Sequence, residues 1–159
     1  MNYKKSLPLI LLTLLVLLPA LINGHCQIPC GIYDDATRFK LMREHVETIE
    51  KSMNTVMDLQ KEEDINYNQL VRWINNKDEH ADKFNDIVTY YFMTQRIKPV
   101  DKSNTEAYKK YQKEVELLHK MLVYSMKAKQ TTDLENVEKL RELITDFEDS
   151  YFEEHGHKH

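Results

Sequence analysis

Residues 35–63 read DATRFKLMREHVETIEKSMNTVMDLQKEE. Phe39, Met42, Val46, Ile49, Met53 and Val56 recur there in alternating steps of three and four. That is the 3.6-residue period of an α-helix with one apolar face, since residues at those steps project from the same side. From Gly31 to Lys98 there is neither proline nor a further glycine to interrupt it. Reading onward, Leu70, Ile74, Lys77, Ala81, Phe84, Val88 and Tyr91 form a second stripe over 67–96, with Lys77 its one polar break and Pro99 its stop. After a polar connection from Lys98 to Asn104, a third stripe runs through Tyr108, Tyr111, Val115, Leu118, Leu122 and Ser125. Thr132 or Asp133 is placed to cap a fourth helix, because an oxygen side chain there accepts from exposed first-turn amides. The fourth stripe is Val137, Leu140, Ile144, Phe147 and Tyr151. Four such faces with short connections bury one another best as an antiparallel up-and-down four-helix bundle, so the expected fold is all-α, with the bundle over 34–154.

Composition narrows the function classes. The 159 residues include three glycines, Gly24, Gly31 and Gly156, too few and too scattered for a GxGxxG turn or a phosphate-binding loop. The same scarcity disfavours hairpin-rich β folds, whose tight turns lean on glycine. A net charge of −4 without a basic block argues against nucleic acid as a partner. The length suits one domain with one core.

Two lysines in residues 1–5 precede sixteen uncharged residues, LPLILLTLLVLLPALI at 7–22, and then Asn23 and Gly24. A charged start, an apolar run and a small residue at the end make a secretory leader over 1–24, expected to be cut after Gly24. The run is shorter than the roughly 20 residues that span a bilayer, and Pro8 and Pro19 interrupt it. An uncleaved signal anchor is the alternative. The expectation is export to the periplasm or the medium, with no stable membrane association once the leader is removed.

A chain cut there begins HCQIPCGIY, residues 25–33. Two cysteines in an exported protein commonly pair, and a Cys26–Cys30 disulfide on a helical binding module is one reading. A metal hook is another. His25 brings an imidazole and, after cleavage, a free α-amine to the same point, while Pro29 and Gly31 permit a tight turn. Zinc prefers four side-chain ligands, and the segment offers three. An α-amine, the Cys26 amide and two thiolates form a planar N₂S₂ set that suits Ni(II) or Cu(II), with the imidazole free to approach axially. Thiolate and amide donors also stabilise a higher oxidation state, so the set weakly favours a one-electron nickel centre over copper. A nickel or copper carrier using the same hook without turnover stays open.

The pattern HCxxPCGxY resembles the nickel hook of the nickel-containing superoxide dismutases. The segments TIEKSM at 48–53, VRWINNK at 71–77 and VTYYFMTQRIKPV at 88–100 are similar to that family as well. The resemblance implies a four-helix-bundle subunit in a hollow homohexamer, with one nickel per subunit. The implied reaction is conversion of superoxide to oxygen and hydrogen peroxide by Ni(III)/Ni(II) cycling. By position, Cys26 and Cys30 are the thiolate ligands, Cys26 also gives its backbone amide, and His25 gives its amine and ring. Tyr33 matches the hook tyrosine that orders the approaching anion or water. Gln27 stands where family members often carry Asp. Leu41 or Met42 falls at the position of a family Glu, and His80 at that of a family Arg, where it is either a substitute donor or an ordinary helix-surface residue.

Other residues carry simpler expectations. His155, His157 and His159 belong to a solvated tail over 155–159. Tyr90, Tyr91 and Phe92 are core and subunit contacts, and Met42, Met53, Met57 and Met121 fill gaps. Arg38, Lys40 and Arg43, just past the hook, are candidates for local steering of an anion, or a solvated helix face.

Overall fold

The computed structural model describes residues 33–153. Helix α1 spans Asp35–Leu59, started by Asp34, whose carboxylate accepts from the Thr37 amide at 2.9 Å. Helix α2 spans Tyr67–Asp86, capped by the Asn66 side chain, and continues without a break as a π-helix over Ile87–Arg96. Helix α3 spans Thr105–Gln130 behind Asn104, and α4 spans Glu135–Phe152. Among the described residues all regular structure is helical, and no helix is long and apolar enough to cross a membrane. By its internal packing the chain divides into two units, Met1–Tyr33 and Asp34–His159. The leader, His25, Cys26, Cys30 and the histidines of the tail lie outside the described residues.

The four helices close a ring: α1 packs on α2, α2 on α3, α3 on α4, and α4 on α1. Every position of the α1 and α4 stripes is buried. Aromatic rings fill one end of the interior, with Phe92 4.9 Å from Phe39 and 5.0 Å from Phe147, centroid to centroid. Tilted and edge-on rings at these separations pack better than stacked faces would. Met42, Met53 and Met121 fill the remaining volume as expected, while Met57 is half-buried.

Four expectations need correction. The third stripe is displaced: α3 buries Glu114, Leu117, Leu118, Met121, Ser125 and Ala128, leaving Tyr108, Tyr111, Val115 and Leu122 half-buried. Small residues let the neighbouring backbones approach there, and Ser125 donates to the Ala81 carbonyl at 3.3 Å. Lys77, read as a break in the α2 stripe, is instead buried at 3% exposure. Its ammonium donates to the Ala128 and Lys129 carbonyls at the end of α3, where unpaired carbonyls and the helix dipole favour a cation. Two positions assigned to packed faces are open: Ile74 and Tyr90 are exposed, although Tyr91 and Phe92 are core. The fourth helix has Leu134 rather than Thr132 or Asp133 at its N-cap, with no side-chain cap bond, and Asp133 accepts from the Glu135 amide at 3.0 Å just ahead of it.

The π-helical stretch is the largest local departure. Its end at Arg96 was expected, but its winding was not. Ile97 donates to the Phe92 carbonyl at 2.9 Å, five residues back, and the Thr94 and Gln95 side chains likewise reach carbonyls five residues back. At the α-helical advance of about 100° per residue, Tyr91 and Arg96 would project about 140° apart. An i→i+5 register brings them to one side.

Candidate metal centre

Of the residues assigned to the hook, Tyr33 is described, and it is exposed. The chain then enters α1 through Asp34, which takes hydrogen bonds from both the amide and the hydroxyl of Thr37. The next residue, Asp35, is the focus of a polar cluster. Arg96 grips it with two bonds, Nε to Oδ1 at 2.9 Å and Nη2 to Oδ2 at 2.6 Å. The Tyr91 hydroxyl donates to Oδ1 at 2.6 Å and the Tyr151 hydroxyl to Oδ2 at 2.8 Å. Arg96 Nε also reaches the Tyr151 oxygen at 2.9 Å. Two other elements, the π-helix and α4, thus converge on the first residue of α1.

The electrostatics follow from this geometry. Burial alone would raise the Asp35 pKa, but the bonds from Arg96, Tyr91 and Tyr151 outweigh it and hold the carboxyl below its usual range. Burial, reinforced by the neighbouring carboxylate, pushes both tyrosine phenols up, so they stay protonated donors. The guanidinium of Arg38 lies 4.9 Å from the centroid of the Tyr91 ring, a cation–π contact on the outer side of the same cluster.

That contact bears on anion steering. Of the three candidate cations, Arg38 is half-buried against Tyr91, and Arg43 pairs with Glu148 at 2.6 Å. Lys40 is exposed. The helix face just past the hook therefore offers less free positive charge than its sequence suggests.

His80 has a partner that sequence reading missed. Its Nδ1 lies 3.1 Å from Nδ1 of His45, across the α1–α2 contact. One ring must donate and the other accept, so the pair holds at most one charge comfortably. Burial lowers both pKa values, joined at His45 by the nearby His80 and Lys83 charges and at His80 by Lys83. Met42 is fully buried among apolar side chains and Leu41 half-buried, so neither supplies a polar group at the position where the family resemblance put a Glu. Among the described residues no group of three or more His, Cys, Asp or Glu side chains gathers to hold a metal ion.

The all-helical body, with a sulfur- and nitrogen-rich segment directly before it in sequence, has the make-up of a small helical metalloprotein. The chain belongs to the nickel-containing superoxide dismutase family, whose model matches residues 20–155. Its activity is accordingly the dismutation of superoxide, an oxidoreductase reaction, with nickel as the cofactor. No curated protein and no solved structure gives a significant match.

The Asp35 cluster and the His45–His80 pair escaped sequence reading for the same reason. Asp35 and Arg96 are 61 residues apart, and His45 and His80 are 35 apart. Their one local signal, Arg96 at the end of an aromatic run, carries meaning only in the i→i+5 register.

Proposed function

We propose that residues 25–33 form the nickel site, with Cys26 and Cys30 as thiolate ligands and one nickel per subunit. The Cys26 amide, the His25 α-amine and the His25 ring complete the donor set. The observation that carries this reading is the donor chemistry of HCQIPCGIY itself: soft thiolates and anionic nitrogen in one short segment fit nickel, and its higher oxidation state, better than imidazole or carboxylate would. When bound, nickel supplies the one-electron chemistry of the reaction, alternating between Ni(III) and Ni(II). The chain's own tasks would be to present the donors in their deprotonated forms and to order superoxide or water near them. We assign the second task to the Tyr33 phenol, which supports it by being exposed.

The donor set requires processing. In the precursor the nitrogen of His25 is an amide and nearly non-basic; as a free α-amine its pKa is roughly 7.7–8.0, so a metal displaces its proton near neutrality. Residues 1–24 are therefore a leader whose removal after Gly24 both accompanies export, to the periplasm or the medium, and creates the ligand.

The finer architecture is an antiparallel up-and-down bundle carrying an N-terminal hook. Its support is the register of the cross-links: on α1 and α4, Arg43 meets Glu148 and Glu50 meets Arg141, so numbers rise on one helix as they fall on the other. For a homohexamer, the support is exposed apolar surface on α2, where Tyr67, Val71 and Ile74 recur at helical spacing, with Tyr90 and Met93 further along. An apolar stripe of that kind facing solvent marks a protein contact.

The test compares the chain cut before His25 with one that keeps Gly24. The first should show a Ni(III) resonance with nitrogen splitting and full turnover; the second would bind nickel through other nitrogens and should dismutate poorly. Equal activity and identical spectra would overturn the amine ligand.

A further inference from the structure

We propose that His45 and His80 form a second metal site, in which their two Nδ1 atoms hold one divalent first-row transition ion across the α1–α2 contact and water fills its remaining positions. The inference stands apart from the nickel segment. Both residues, and every group that acts on them below, belong to the unit Asp34–His159.

The separation of the two nitrogens is the first argument. Nδ1 of His45 lies 3.1 Å from Nδ1 of His80, with the rings inclined at 70° and their centroids 5.1 Å apart. Metal–imidazole bonds are roughly 2.0–2.1 Å long, so two nitrogens on one ion at square-planar to tetrahedral angles stand about 2.9–3.4 Å apart. The observed distance falls inside that range without movement of either helix. Only a proton has to change place. A neutral imidazole carries its N–H on either nitrogen, so both rings can keep a proton on Nε2 and offer Nδ1 to the ion. With no metal between them, a single Nδ1–H···Nδ1 bond is all the facing nitrogens make.

The surroundings suit a cation. His45 directly precedes Val46 and His80 directly precedes Ala81, both fully buried, so the packed faces of α1 and α2 fix where the two rings start. Each ring is itself half-buried, which leaves a side open to the water that a site with two protein donors needs. Burial lowers both pKa values, so the rings are neutral at pH 7 and bind without first losing a charge. Three charged groups act on them: Glu44 on His45, Glu79 on His80, and Lys83 on both. Lys83 is held by Glu79 at 2.7 Å, and two carboxylates against one ammonium leave the neighbourhood net negative. Among the described residues no third His, Cys, Asp or Glu completes a metal-holding group. The ion is therefore one that accepts imidazole and water, such as Zn(II), Cu(II) or Ni(II), and not Ca(II) or Mg(II), which want several oxygens.

The experiment uses Zn(II), which has no redox chemistry, as the probe. It is added to nickel-loaded protein freed of excess metal by gel filtration. All forms carry His155→Gln, His157→Gln and His159→Gln, so that the tail does not compete. Bound zinc per chain is read by equilibrium dialysis, and the thermal-unfolding midpoint is read with and without zinc. An ion held only by the folded state stabilises it by mass action, so the midpoint should rise by about 4–8 °C at ten times the half-saturating zinc concentration. His45→Gln and His80→Gln should each lose that rise and one equivalent of bound zinc. His119→Gln, an exposed histidine on α3, should keep both. Each variant is compared with itself, so a change in its own stability does not enter. A parent without the zinc-dependent rise, or a parental rise in either His45→Gln or His80→Gln, would overturn the site and leave the rings a hydrogen-bonded pair. A rise lost equally in His119→Gln would overturn it too, because the loss would not be specific to the pair. None of these outcomes bears on the donors assigned to nickel.

Discussion

Two cations are held by hydrogen bonds at helix ends, Lys77 buried and Arg96 half-buried, and the partners differ. Near the end of α3, Lys77 is satisfied by the Ala128 and Lys129 carbonyls, with Asp78 beside it at 3.2 Å. At the start of α1, Arg96 is satisfied by the Asp35 carboxylate, with two phenols completing the carboxylate's shell. The first arrangement uses backbone groups that any sequence would provide and ties one helix end to its neighbour. The second needs four particular side chains from three elements, and a locally rewound helix to present them. Withdrawing a cation from water, wholly as at Lys77 or partly as at Arg96, is costly unless its donors are answered. The more specific solution sits at the first residue of α1.

The aromatic packing beneath the Asp35 cluster gives the largest test of this contrast. Phe92 is fully buried, touching Phe39, Phe147, Tyr91 and Tyr151 with centroids between 4.9 and 5.7 Å. Phe92→Ala should cost about 3–5 kcal/mol in chemical denaturation, the range for emptying a buried aromatic site. It should also raise the pH at which Asp35 takes up its proton, because the rings of Tyr91 and Tyr151, whose hydroxyls bond it, lose their support. An unchanged Asp35 titration in a folded Phe92→Ala protein would show that the cluster does not depend on the core below it.

Lys77→Met gives the next effect and the complementary outcome. The stem is kept and the ammonium is lost, leaving the two carbonyls of α3 without their donor, for about 1–3 kcal/mol. Superoxide turnover and the Ni(III) resonance should be unchanged in the folded protein. A loss of turnover beyond the loss of folded protein would break the division of labour between the two cation sites.

The same contrast explains what the sequence disclosed. The stripes of α1 and α4 are legible because each of their positions is apolar and the 3.6-residue period is unbroken. The α3 stripe was misplaced because its buried face contains Glu114, Ser125 and Ala128, while the more apolar-looking Tyr108, Tyr111, Val115 and Leu122 stand half-buried beside it. Lys77 resembled an interruption because its partners are carbonyls 51 and 52 residues away, and backbone groups leave no mark in sequence. The donors we propose for nickel drew notice for the opposite reason: they are reactive side chains within a few contiguous residues, so their chemistry is local. The cluster at the start of α1 is not local, and Asp35 with Arg96 shows why it left no mark. Neither residue is unusual alone, and the winding that brings Tyr91 and Arg96 together is written in no single residue type.

The smallest effect belongs to the His45–His80 pair, which lies between the two cation sites on the α1–α2 contact. Both imidazoles are held below the ordinary value of 6.5, chiefly by burial, with Lys83 facing them and Glu44 and Glu79 opposing the shift. A histidine whose folded pKa is depressed takes up its proton more readily when unfolded. Its contribution to stability is therefore complete above pH 6.5 and is lost as the pH falls toward the folded value. Each proton of difference sets a ceiling of about 1.4 kcal/mol per pH unit, and partial exposure with screening keeps the realised loss smaller, under about 1 kcal/mol between pH 7 and pH 5. His80→Gln removes one titrating ring and the positive neighbour that helps depress His45. Stability measured by denaturant unfolding should then fall less steeply over that interval than in the parent, with the two curves converging above pH 7. A variant curve as steep as the parent's would place the pH dependence elsewhere. Asp35 is the next group to examine: its own depressed pKa makes its contribution fail only at more acid pH, as protonation breaks its bonds to Arg96. The two limbs are thus separable: an early shallow loss from the histidine pair, and a later one from Asp35.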